Sequence, residues 1–290
     1  MNVNFISSIS NVMNQGAKKV SFSKLPDIPY DSFVKVSQST SSSSKVDEAY
    51  KNALDFCRQS VMSKNPVESQ MVFDCDGNVL YQNIGDEKSC NIEDDKLVYG
   101  STAVHSHPKS CTLSDVDAIA LIKRPKLSKV ASIDASGRSC SLKKPDDYNR
   151  YYSSDELKGL YFRLNNIVTN IWNESLPNIE NPKAVCMQEN ERMLMDAFGF
   201  DDVDAMYKSF DAVRTGNPDI DMENIRWRFW MPEATEKNIQ PIELSNAEWN
   251  AKKILIEQMD GTPEAIEIGK KVNKAFAEVL GLEYSYSDAE

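Results

Sequence analysis

Histidine is nearly missing from this chain: there are two in 290 residues, and both fall in one run, His105-Ser106-His107-Pro108. Chemistry that needs an imidazole therefore has one place to be, and neutral imidazole is the commonest side-chain ligand for zinc. Paired cysteines are lacking as well, since Cys57, Cys75, Cys90, Cys111, Cys140 and Cys186 stand singly. That removes a zinc knuckle and the Cys-x-x-Cys arm of a zinc deaminase, and free thiols in a reducing compartment are the expectation. A thiol nucleophile would need a histidine partner, and the single pair leaves none over. No stretch approaches the ~18 consecutive apolar residues of a membrane span. Net positive charge is also absent. At −11 the chain offers no general basic face to a phosphate backbone, so neither nucleic acid nor an anionic membrane is an expected partner.

What is present concentrates around the histidines. Residues i and i+2 of a strand project to one face, so His105 and His107 can aim ring nitrogens at a common point. Pro108 cannot extend a central ladder, and the chain should turn there. Ser114-Asp115-Val116-Asp117 then opens the apolar run 118–122, which reads as a helix capped by Ser114 with Asp117 in its first turn. Two readings meet at this point. Asp117 can be the third ligand of a zinc ion whose fourth position is open, as in catalytic sites. Alternatively, Ser-x-x-Asp is close to a capping box, which satisfies helix-start amides with no metal present.

His105, His107, Ser114 and Asp117 resemble the signature of the JAMM (MPN+) zinc metalloproteases, written Glu upstream, then His-x-His, a spacer, Ser-x-x-Asp. The run 105–117 is similar to the deubiquitinase subunits of the proteasome lid and signalosome. The layout of residues 46–148 looks more like short bacterial JAMM-type domains of toxins and effectors. Six residues separate His107 from Ser114, one fewer than the signature has. The resemblance implies an α/β MPN fold, Zn²⁺ held by His105, His107 and Asp117, and an upstream glutamate as general base. Val67–Phe73 reads as a strand, Asp76-Gly77-Asn78 as a hairpin turn and Val79–Gln82 as its partner, which makes Glu68 the best candidate for that base. Glu87 and Glu93 compete, but both lie in the polar stretch 85–96. On the family's chemistry, Glu68 takes a proton from water and returns it to the leaving amine. Ser114 donates to the developing oxyanion. The interval from Glu68 to His105 leaves little room for the substrate-gripping insertion of ubiquitin-cleaving relatives.

The fold class expected is therefore α+β: an MPN/JAMM-like core, a mixed sheet flanked by helices, followed by an all-α C-terminal region. Three segments are expected. Residues 1–45 hold five lysines, two acids and the run Ser37–Ser44, the composition of a disordered arm. Lacking the basic start and apolar core of a cleaved secretory signal, this arm resembles the leader of type III secreted effectors, so the protein is expected to be cytoplasmic or exported without a Sec signal. Residues 46–148 form the zinc domain, with a leading helix from Val46 and a hairpin over Val130–Ile133 and Cys140–Leu142. Residues 149–290 read as helices, with capping boxes at Ser153/Glu156 and Ser245/Glu248, and a last helix from Thr262-Pro263 to Gly281. Arg226-Trp227-Arg228-Phe229-Trp230-Met231-Pro232 mixes cations with aromatics; core aromatics with arginines paired to local acids are expected there. Two functions fit: a JAMM-type zinc hydrolase of an isopeptide or peptide bond, acting on ubiquitin or ubiquitin-like conjugates, or a non-catalytic MPN-fold module that binds through its helical surface.

Overall fold

The structure, a computed structural model, describes residues 40–86, 89–108 and 110–288, with only the backbone of 40–43. Residues up to Trp172 together with those from Gly261 onward form one unit, and Asn173–Asp260 form a second. In chain order the first unit contains α1 (Thr40–Val61), β1 (Ser69–Phe73), β2 (Val79–Ile84), β3 (Ser101–Ser106), α2 (Asp115–Lys123), β4 (Leu127–Ile133) and β5 (Ser139–Lys143). Helix α3 (Ser154–Ser175) follows. The second unit holds α4 (Pro182–Phe198), α5 (Val203–Ser209), α6 (Pro218–Ile225), α7 (Pro232–Glu236) and α8 (Ala247–Met259). The chain then returns to the first unit with α9 (Pro263–Leu280) and β6 (Glu283–Ser287).

The fold is α+β, built on one mixed sheet of order β2-β1-β3-β4-β5-β6. All neighbours are antiparallel except β3 and β4, which are parallel because α2 carries the chain back between them. The two faces follow from side-chain alternation. Met71, Phe73, Val104, Ala131 and Ile133 pack against Ala49, Ala53 and Cys57 of α1, each buried large side chain contributing about 1.5–3 kcal/mol. The opposite face carries Gln70, Ala103, His105 and Ser132, and α2 and α9 belong to that side. Gly77 and Gly137 turn the two hairpins at positive φ of 83° and 92°, as the Asp76-Gly77 and Ser136-Gly137 pairs predict.

Several expectations need correction. Residues 1–39 of the expected disordered arm lie outside the described residues, but 40–45 are the opening turns of α1. Serines cost a helix little once its apolar face is docked and propagation has begun. The C-terminal region is not all-α: β6 pairs with β5, Cys140 opposite Tyr286 and Leu142 opposite Tyr284, because an otherwise bare sheet edge takes the alternating Tyr-Ser-Tyr-Ser strand. Residues 149–290 are accordingly divided between the two units. Ser153 and Glu156 form the expected box, and Thr262 and Gly281 cap α9. Ser245, by contrast, sits in a short 3₁₀ turn, and α8 starts after Asn246. In 226–230 only Phe229 is core; Trp227 and Trp230 are 44% and 59% exposed. Arg226 pairs with Glu243 as expected, while Arg228 lies over the rings of Trp227 and Phe210. A 3₁₀ turn shows side chains in three directions, so one apolar run cannot be buried entirely.

Candidate metal centre

His105 is the next-to-last residue of β3 and His107 follows the strand. Strand alternation turns His105 to the face opposite α1, and the two rings meet edge to face with centroids 4.7 Å apart. Their Nε2 atoms lie 2.9 Å apart. Asp117 arrives from the first turn of α2, with Oδ1 3.5 Å from His105 Nε2 and Oδ2 3.9 Å from His107 Nε2. A tetrahedral zinc with ligands at ~2.0–2.1 Å holds any two donors about 3.3 Å apart. The His105–His107 and His105–Asp117 Oδ1 separations straddle that value, and one donor atom from each of the three residues lies within 4.8 Å of the others, so the donor set is compact enough for a single zinc. These are also the residues that form a potential metal-holding group among those described. His105 is 4% exposed, whereas His107 and Asp117 are 16% and 20% exposed, so the group is open on one side.

Second contacts fix the orientation of each ligand. His107 Nδ1 lies 3.1 Å from the Ser110 carbonyl; a carbonyl can only accept, so the ring proton sits on Nδ1 and the Nε2 lone pair faces the cluster. The Ala131 carbonyl accepts from the His105 ring. Ser114 forms the capping box in full: its Oγ accepts from Asp117 N at 3.2 Å, while its N and Oγ both donate to Asp117 Oδ2 at 2.8 and 2.7 Å. The two readings of Ser-x-x-Asp are thus compatible, since the cap occupies Oδ2 and leaves Oδ1 toward His105.

Protonation follows the same geometry. Burial and then the neighbouring His105 charge push His107 down to about 4. Burial also opposes charge on His105, yet the Asp117 carboxylate, joined by Glu68, raises it above the ordinary histidine value. Burial alone would raise Asp117, but the two imidazoles and Ser114 hold it far below the usual carboxylate range. The cluster is therefore an acidic, buried group that accommodates positive charge, the electrostatic setting a cation requires.

Comparison of the chain with protein-family models, curated proteins and solved structures finds no match.

Glu68 is placed by strand pairing. Gln70 stands opposite His105 in the antiparallel β1–β3 ladder, and Glu68, just ahead of β1, lies near enough for its charge to act on His105. Glu68 is 5% exposed, and its peptide is held on both sides: Glu68 N donates to Asp86 O, and Gly85 N donates to Glu68 O, each at 2.8 Å. Ser106, between the histidines, adds a fastening that sequence reading missed. Its Oγ accepts from Ser69 N at 2.8 Å and donates to Val67 O at 3.4 Å. Of the competing acids, Glu93 pairs with Lys96 at the surface, and Glu87 lies outside the described residues. Cys90, in the loop after β2, is a further group the sequence did not point to. Burial first, and then the Glu68 and Asp117 charges, raise its thiol.

Asp115 gives a test of this electrostatic picture. It is 5% exposed, and its carboxyl is pushed by burial, and further by Asp117, from 3.8 to about 6, against a hydrogen bond from Val116. A raised folded-state value means that its stabilising contribution is complete below about pH 3.8 and is lost as pH rises through about 6. Above that the charged carboxylate costs stability. Asp115→Asn should therefore stabilise the chelator-treated protein by roughly 1–3 kcal/mol at pH 7.5. Thermal denaturation should show the gain shrinking as pH is lowered to 5; a gain independent of pH would contradict the assignment.

Proposed function

We propose that the protein is a zinc-dependent hydrolase of the JAMM type that cleaves an isopeptide or peptide bond. The observation that carries this reading is the convergence of donor atoms of His105, His107 and Asp117 within 4.8 Å of one another, with the buried Glu68 close enough for its charge to act on His105. The α+β sheet with a β3–α2–β4 crossover is the kind of scaffold such a site needs, and the likeness of residues 105–117 to the JAMM signature supports the same assignment.

His105, His107 and Asp117 would hold the ion. Bound zinc supplies Lewis acidity, which makes water acidic enough to attack near neutral pH and polarises a carbonyl. Glu68 receives the proton of the attacking water and delivers it to the departing amine, a transfer typically worth 10²–10⁴ in rate. Ser114 secures Asp117 by donating its hydroxyl to Oδ2; turned from Asp117 to a developing oxyanion, the same hydroxyl would be a donor worth about 3 kcal/mol. The hydrogen bonds at Ser110 and Ala131 keep the imidazoles aimed.

Ubiquitin or ubiquitin-like conjugates are the proposed substrates, met in the cytoplasm of the producing cell or, if the N-terminal arm is an export leader, of a host. The test is incubation of zinc-loaded protein with a panel of di-ubiquitins and a tagged proteome. Cleavage should disappear with a chelator and return with zinc. One observation favours a second reading, a non-catalytic module: Trp227 and Trp230 are exposed on the second unit, as aromatic anchors of binding surfaces are. A zinc-loaded protein that cleaves nothing in either panel would leave that reading in place.

A further inference from the structure

The loop between His107 and Asp117 is gripped from a place far along the chain. Asn273 of α9 is fully buried. Its Oδ1 accepts from Leu113 N at 2.9 Å and its Nδ2 donates to Leu113 O at 2.6 Å, across 160 positions. One carboxamide thus satisfies both main-chain groups of a single residue, as a strand neighbour would. Leu113 directly precedes Ser114, whose N and Oγ set the Asp117 carboxylate.

Two further contacts press on the same loop. One turn earlier in α9, Gly269 approaches so closely that a Cβ there would overlap the Thr112 Cγ2. The Cys111 carbonyl accepts from Ser132 Oγ and from Cys140 Sγ. Cys140 Sγ also lies 3.4 Å from Asn273 Oδ1. The main chain of residues 111–113 is therefore held by β4, β5 and α9.

We propose that Asn273 is a positioning residue of the metal centre: its carboxamide fixes the main chain at Leu113 and so aims Asp117 at the histidine pair, with Gly269 admitting the helix close enough to do it. This rests on the metal reading above. The corollary is that the segment from Gly261 onward, remote in sequence from the His-x-His run, is required for full metal affinity rather than being an appendage to it.

The experiment uses the full chain and Co²⁺ as a spectroscopic probe of the site. Wild type should bind one Co²⁺ with a visible absorption band that His105→Ala abolishes. Asn273→Leu keeps the volume and removes both hydrogen bonds; while folded by circular dichroism, it should bind Co²⁺ about ten-fold more weakly or worse, with an altered band. Gly269→Ala, which favours the helix but wedges a methyl against Thr112, should do the same and decides the matter if the leucine variant does not fold. A folded variant with wild-type Co²⁺ affinity and an unchanged band would overturn the proposal while leaving the metal site intact. A wild-type chain that binds no Co²⁺ would instead bring down the metal reading and this inference with it.

Discussion

Glu68→Gln is expected to keep the zinc site, with affinity lowered only by the loss of one nearby negative charge, and to hydrolyse its substrate about 10²–10⁴ times more slowly, the usual contribution of a positioned general base and acid. The two halves of this result come from different features of the structure. Glu68 is not among the three residues that converge on a common point, so removing its charge leaves the ligand set whole. It is nevertheless buried and near enough to the pair for its charge to act on His105. Glutamine keeps the size and hydrogen-bonding capacity of the side chain but cannot accept the proton. Single-turnover cleavage, paired with isothermal titration of zinc, separates the terms. Equal rates for wild type and Glu68→Gln would remove Glu68 from the mechanism without touching the metal site.

Zinc should also stabilise the fold, and strongly. A ligand that binds only the folded chain adds RT ln(1 + [L]/Kd), about 4 kcal/mol at a thousand-fold excess over Kd. For a unit of this size that corresponds to a rise in Tm of roughly 8–16 °C. The reason lies in the crowding of the apo cluster: two buried imidazoles with Nε2 atoms 2.9 Å apart beside a carboxylate whose Oδ2 is already committed to Ser114. Bonds from three residues to a cation would replace the single Nε2–Nε2 hydrogen bond that the cluster makes without one. His107→Ala and Asp117→Asn should each lose the zinc-dependent shift in scanning calorimetry. Asp117→Asn should in addition unfold more easily without metal, since the carboxylate is the partner of the Ser114 cap, worth about 1 kcal/mol. If zinc moved the Tm of His107→Ala as far as that of wild type, the ion would be bound elsewhere.

Much of the site was legible before any fold was known, because its signals are local. The i, i+2 spacing of His105 and His107, the stop at Pro108 and the serine–aspartate step of a helix start all act within a few residues, where strand alternation and capping chemistry hold regardless of the rest of the chain. The hairpins at Gly77 and Gly137 were readable for the same reason. The aromatic run 226–230 was misread in part, since apolar composition does not reveal that a 3₁₀ turn exposes Trp227 and Trp230 while burying Phe229.

The amino-acid order alone determined which side chains are available to a cation and that two of them share a face. Tertiary structure decided what surrounds them. The β1–β3 register sets Gln70 opposite His105 and so brings Glu68 near the pair, β6 joins the sheet because β5 presents an open edge, and Leu113 is held by a carboxamide 160 residues away. Register and edge pairing depend on which strands meet when the apolar faces are buried. That choice is made by packing over the whole unit, and no window of neighbouring residues contains it.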